Sequence, residues 1–168
     1  PPPPTDSVKL LPGTTVRVHD LAAGLVRRED RFILPAPFDL GFRLAVHRMS
    51  DEVVRWITGT PGYAASQLLF LVERRLYRMD SDGVGAVQFS GVGEQVLSPT
   101  WSPDGRRIAF TNFGAGTGTI VVQQLATGQR TTVPGTGAAL NITPAFSPDG
   151  RVLVYARSSE EGTDLFSA

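Results

Sequence analysis

The chain carries one passage twice. Leu97-Ser-Pro-Thr-Trp-Ser-Pro-Asp-Gly-Arg-Arg-Ile-Ala-Phe110 returns as Ile142-Thr-Pro-Ala-Phe-Ser-Pro-Asp-Gly-Arg-Val-Leu-Val-Tyr155. Asp104 and Asp149 stand 45 residues apart, as do Trp101 and Phe146, and Gly83 and Gly128 keep the same interval. A strand-rich period of this size is the signature of propeller blades, and about two fit in this length. A blade buries both its faces only against neighbours. The sequence therefore predicts a piece of a larger β assembly.

The local pattern supports strands. Leu68 to Val72, Arg75 to Met79, Arg107 to Phe110, Thr119 to Leu125 and Arg151 to Ala156 are short β-prone runs. Asp-Gly pairs at 82–83, 104–105 and 149–150 separate them, and Thr127-Gly128 fills the equivalent place in the second copy. In Ser102-Pro103-Asp104-Gly105 and Ser147-Pro148-Asp149-Gly150, proline presets φ and glycine accepts a positive one. These eight residues are assigned as structural turns.

Upstream of the repeats the pattern differs. Thr14 to Asp20 and Leu25 to Leu34 read as a hairpin around Ala23-Gly24. Asp39 is placed to cap a helix through its carboxylate. Phe42, Val46, Met49, Val53 and Trp56 then recur on one helical face, and Gly59 with Pro61 ends the run. Pro1 to Pro4 open a lead that cannot join a sheet or helix for lack of N–H donors. The predicted organisation is a proline-rich linker over 1–13, a small α/β piece over 14–62 and an incomplete propeller over 65–168.

Composition narrows the function. Sixteen acidic and sixteen basic residues cancel, and all the basic residues except Lys9 are arginines scattered along the chain. This gives no footprint for nucleic acid. With no cysteine, thiolate catalysis and Cys-ligated metals are excluded. The longest wholly apolar run, Leu68 to Val72, is far short of the roughly 20 residues of a spanning helix.

Each chemically suggestive residue has a plainer reading. Ser102 and Ser147 lie downstream of both histidines, His19 and His47, with no base assigned to them. His47 is expected to make a structural hydrogen bond near Asp51. Gly114 to Gly118 precedes a β run rather than the helix a phosphate loop requires. Asp80, Asp82, Asp104 and Asp149 fall in separate turns, whereas calcium needs its oxygens at one point. Arg27-Arg28 and Arg106-Arg107 are assigned to solvent or to Glu29, Asp30 and Asp104. No catalytic, cofactor or metal residue is assigned, and the sequence singles out no partner-binding residue.

The two Ser-Pro-Asp-Gly turns, each after an aromatic residue and before an apolar run, resemble the WD40-like repeats of TolB-type propellers. His47-Arg-Met-Ser-Asp-Glu-Val53 with Thr58-Gly59 is similar to the helix that ends the family's amino-terminal α/β domain, and Arg75 to Gly83 to its first blade. The resemblance implies a mainly β fold: a hairpin plus one helix, then about two antiparallel blades of an incomplete propeller. It further implies a non-enzymatic, periplasmic interaction protein of the Tol-Pal envelope system, membrane-associated through its partners. Those partners would be other protein chains, including a Pal-like lipoprotein, while the family's amino-terminal end contacts TolA. Measured against the family the chain is expected to be a part of a longer protein, a reduced accessory subunit of a membrane complex, or a self-associating unit. A fragment of a prolyl-oligopeptidase-like peptidase is the enzymatic alternative, but the Gly-x-Ser-x-Gly elbow such enzymes need is not in the sequence.

Overall fold

Residues 13–114, 117–134 and 139–168 are described by the computed structural model. The proline-rich lead and Ala115-Gly116 of the glycine-rich loop lie outside the described residues. The chain divides into two units that part between Ser66 and Gln67.

In the first unit, β1 (Gly13–Asp20) and β2 (Leu25–Ile33) form an antiparallel hairpin. Asp20 shapes its turn by accepting hydrogen bonds from Ala22 N and Ala23 N, both at 3.0 Å, and Gly24 adopts φ +65°. The helix α1 (Phe42–Thr58) presents the expected face, with Phe42, Val46, Met49, Val53 and Trp56 all half-buried. Trp56 packs on Phe32 of β2 at 5.7 Å between ring centroids and lies under the Arg28 guanidinium at 5.2 Å. Gly59 closes the helix at φ +83°, donating its N–H to Arg55 O at 2.9 Å. The expected Asp39 cap does not form. Gly41 is the N-cap residue, without a side-chain hydrogen bond, and the Asp39 carboxylate turns back to Ala36 N at 3.1 Å. Pro35 and Pro37 set up a tight turn whose own N–H captures that carboxylate first.

Among the described residues, the second unit contains ten strands in three antiparallel sheets. The first sheet joins β3 (Gln67–Val72), β4 (Arg75–Asp80) and β5 (Val87–Gln88). The second joins β6 (Val96–Trp101), β7 (Arg107–Asn112), β8 (Thr119–Gln124) and β9 (Arg130–Thr132). The third joins β10 (Leu140–Phe146), β11 (Leu153–Ser159) and β12 (Gly162–Ser167).

The repeat aligns these strands. Gly83 turns between β4 and β5 as Gly128 turns between β8 and β9, so β3, β4 and β5 match β7, β8 and β9. The Ser-Pro-Asp-Gly turns join β6 to β7 and β10 to β11, so β10, β11 and β12 match β6, β7 and β8. Only the middle sheet therefore holds all four strands. Among the described residues, the first sheet lacks the strand equivalent to β6 and the third lacks the one equivalent to β9.

Two apolar clusters hold the sheets together, one on each face of the middle sheet. Ile108, Phe110 and Val121 pack with Leu76 and Val96 toward the first sheet. Ala109 and Ile120 pack with Val133, Leu153 and Tyr155 toward the third. Alternate residues of β7 thus face opposite neighbours, which explains why Ile108 to Thr111 are all buried. Full burial of a residue such as Phe110 stabilises the fold by about 1.5–3 kcal/mol.

Candidate functional site

The repeated turns are built alike. Ser102 Oγ donates to Asp104 Oδ1 at 2.6 Å and accepts from Arg107 N at 2.9 Å, while Asp104 Oδ1 also accepts from Arg106 N at 3.0 Å. In the second turn Ser147 Oγ donates to Asp149 Oδ1 at 2.6 Å and accepts from Val152 N at 3.0 Å, with Arg151 N donating to Asp149 at 3.1 Å. Gly105 and Gly150 complete the turns at φ +66° and +69°. The hydrogen bond from Ser102, then that from Arg106 N, lowers the Asp104 carboxyl below its ordinary range, and Ser147 and Arg151 N do the same for Asp149. Both serine hydroxyls are thus committed to backbone and carboxylate.

The two turns lie side by side. A Cβ on Gly150 would sit 3.5 Å from Pro103 Cδ, and Arg107 Nη2 donates to Gly150 O at 2.6 Å. The same guanidinium lies 5.1 Å from the Phe146 ring centroid. Arg107 is therefore a clasp between consecutive blades, and its charge, with that of Arg106, also acts on Asp104. Arg27 departs from the expected Glu29 and Asp30: its Nε donates to Asp20 at 2.8 Å across the hairpin turn, and Glu29 pairs with Arg17.

The other candidates stay apart. His47 Nδ1 lies 2.6 Å from Ala64 O, and Asp51 accepts from Ala64 N at 2.6 Å and Ala65 N at 2.8 Å. One turn of α1 thus holds the segment after it, a role that nothing in the sequence of Ala64-Ala65 announces. Asp82 accepts from Val84 N at 3.1 Å inside its own turn, and Gln67 Nε2 donates to Asp80 at 3.0 Å. Among the described residues, no three His or carboxylate groups cluster as a metal site would need. No described helix is long and apolar enough to cross a membrane.

What the second unit does offer is surface. On the side of the first sheet away from the core stand Leu68, Phe70, Val72 and Tyr77, of which Leu68 is 44% and Val72 48% exposed. Phe70 stacks on Tyr77 at 5.4 Å. On the far side of the third sheet Leu165 is 77% exposed beside Ala156. All six residues of β12 are exposed. These are faces and edges of the kind that natural sheets cover or blunt.

A second repeated feature is not announced by the local sequence pattern. Ser98 and Thr143 hold φ +49° and +53°, each just before a proline and where the strand register shifts. A non-glycine residue at positive φ is uncommon, and for the β-branched Thr143 it is strained. Its recurrence at the same place in both repeats marks it as part of the blade design.

Comparison with known proteins agrees with this architecture. The family model described as "TolB beta propeller domain" matches residues 54–168. The Tol-Pal system protein TolB of Azoarcus sp. (strain BH72) is 40% identical over 95 residues, covering 54% of this chain and 22% of that protein. The Tol-Pal system protein TolB of Alcanivorax borkumensis is 33% identical over 126 residues, covering 70% of this chain and 29% of that protein. The chain thus spans less than a third of either relative. A solved TolB candidate from Agrobacterium tumefaciens superposes with a TM-score of 0.50 at 22% identity, over 55% of this chain and 35% of that one, and supports the fold alone. Repeated turns, three stacked sheets and a family match across both place this chain in the TolB β-propeller domain family.

Proposed function

We propose that the chain is a non-enzymatic, periplasmic recognition module that works in a Tol-Pal type envelope system by binding other proteins. Residues 14–62 would be the remnant of the family's amino-terminal α/β domain, with residues 65–168 supplying the blades. The observation that carries the reading is the apolar outward face of the first sheet, with Leu68 and Val72 exposed on a framework stabilised from its middle. The commitment of both repeated serines to turn hydrogen bonds supports a structural rather than a nucleophilic role for them.

The reading is tested with the 168-residue chain and the soluble domain of the peptidoglycan-associated lipoprotein from the same source. Size-exclusion chromatography of the mixture should give a co-eluting complex, weakened by Val72→Glu or Leu68→Glu. Separate elution of two folded proteins at high micromolar concentration would overturn it.

A further inference from the structure

Arg107 shows what a blade junction in this protein is built to hold. Its guanidinium covers Phe146 at 5.1 Å and donates to Gly150 O at 2.6 Å. A Cβ on Gly150 would come within 3.3 Å of Arg107 Nη2, and Gly150 is buried beneath it.

The preceding junction has the same frame without the arginine. Gln67, the first residue of β3, pairs with Asp80 at the end of β4, as Arg107 pairs with Gln124 at the end of β8. Strand β6 packs on β3 and β4, as β10 packs on β7 and β8. Trp101 ends β6 as Phe146 ends β10, and Gly105 stands for Gly150. Gln67 is shorter than arginine, and its amide donates to Asp80 Oδ1 at 3.0 Å. An open pocket of about 190 Å³ remains, lined among the described residues by Gln67, Trp101 and Gly105. Gly105 is exposed where Gly150 is buried, and among the described residues nothing lies within 4 Å of a Cβ placed on it.

We propose that this cavity receives an arginine side chain of a partner protein. The incoming guanidinium would stack on the Trp101 indole and donate to the Gly105 carbonyl, reproducing between two chains the clasp that Arg107 makes within one. Tryptophan is the best aromatic acceptor of a cation, and the flat guanidinium can stack and donate at once, which ammonium cannot. The cavity falls below the roughly 300–1,000 Å³ of small-molecule sites, so a side chain fits it better than a metabolite. The nature of the partner rests on the recognition role proposed above, whereas the preference for arginine is a property of the cavity.

The test is a nuclear magnetic resonance titration of the full chain with acetyl-Ala-Arg-Ala-amide and its lysine counterpart. The readouts are the Trp101 indole N–H and the Gly105 amide. Only Trp56 and Trp101 contribute indoles, and Trp56→Phe assigns them. The arginine peptide should shift both signals saturably, with the lysine peptide about fivefold weaker or more. Gln67→Arg should fill the cavity from within, moving the indole signal before any peptide is added and abolishing the response. Trp101→Leu, read at Gly105, should abolish it too and serves if Gln67→Arg folds poorly. No saturable shift, equal response to lysine, or a response that survives both variants would overturn the proposal. The titration omits the lipoprotein, so its failure and the failure of the recognition reading are separate results.

Discussion

At the residue scale, the repeated turn does its work through one hydroxyl and one carboxylate. Ser102 is buried at 2% exposure, so Ser102→Ala leaves the Arg107 N–H without a partner and without water. The expected loss is about 1–3 kcal/mol in urea unfolding. Ser147→Ala should cost clearly less, because Ser147 is only half-buried and solvent can replace its hydroxyl. The carboxylates give the pH dependence. Asp104 and Asp149 titrate below their unfolded value, so their contribution is complete above the unfolded pKa of about 4. It is lost as pH falls through the lower folded pKa. Melting temperatures of Asp104→Asn and the parent should therefore differ fully above the unfolded pKa of about 4 and converge as the pH is lowered further below it. A constant gap across that range would show that the carboxylate charge does not hold the turn. The Ser-Pro-Asp-Gly spacing makes these turns legible in the sequence because each bond is local. Arg107 was not legible, since its acceptor Gly150 lies 43 residues away.

At the element scale, the sequence shows strands wherever apolar residues and Asp-Gly punctuation agree. It hides the first strand of each repeat. Leu97-Ser-Pro-Thr-Trp101 and Ile142-Thr-Pro-Ala-Phe146 each carry an internal proline, which argues against a strand on propensity alone. Both are edge strands, β6 and β10, and the proline sits at the register shift where a ladder bond is already missing. The turn between β3 and β4 is hidden for another reason. Glu73 and Arg74 take φ +50° and +62°, the backbone of a two-residue hairpin turn that Asn-Gly would favour. Glu73→Asn with Arg74→Gly should therefore raise stability by about 1–2 kcal/mol in urea unfolding. The loss of the Arg74 bond to Gln95, 3.0 Å at the surface, offsets only a small part. No gain would mean that the left-handed pair is not strained. Helix α1 was legible at its apolar face and its glycine stop. Its start was not, because the competing donor for Asp39 is a backbone N–H in the turn before it.

At the scale of the whole molecule, the 45-residue period is enough to announce blades, but not their frame. The frame depends on which strand of each repeat pairs with which, a property of the ladders rather than of the periodicity. It leaves a four-stranded sheet between two three-stranded ones, so burial peaks in the middle. Stability therefore belongs to the middle sheet, and the proposed binding to the outer ones. Hydrogen exchange of the full chain, alone and with the lipoprotein domain, tests that division directly. Exchange should be slowest in β7 and β8 with or without the partner, and should slow in β3, β4, β11 or β12 when the partner binds. Exchange unchanged in all four outer strands, or slowest amides outside the middle sheet, would contradict it.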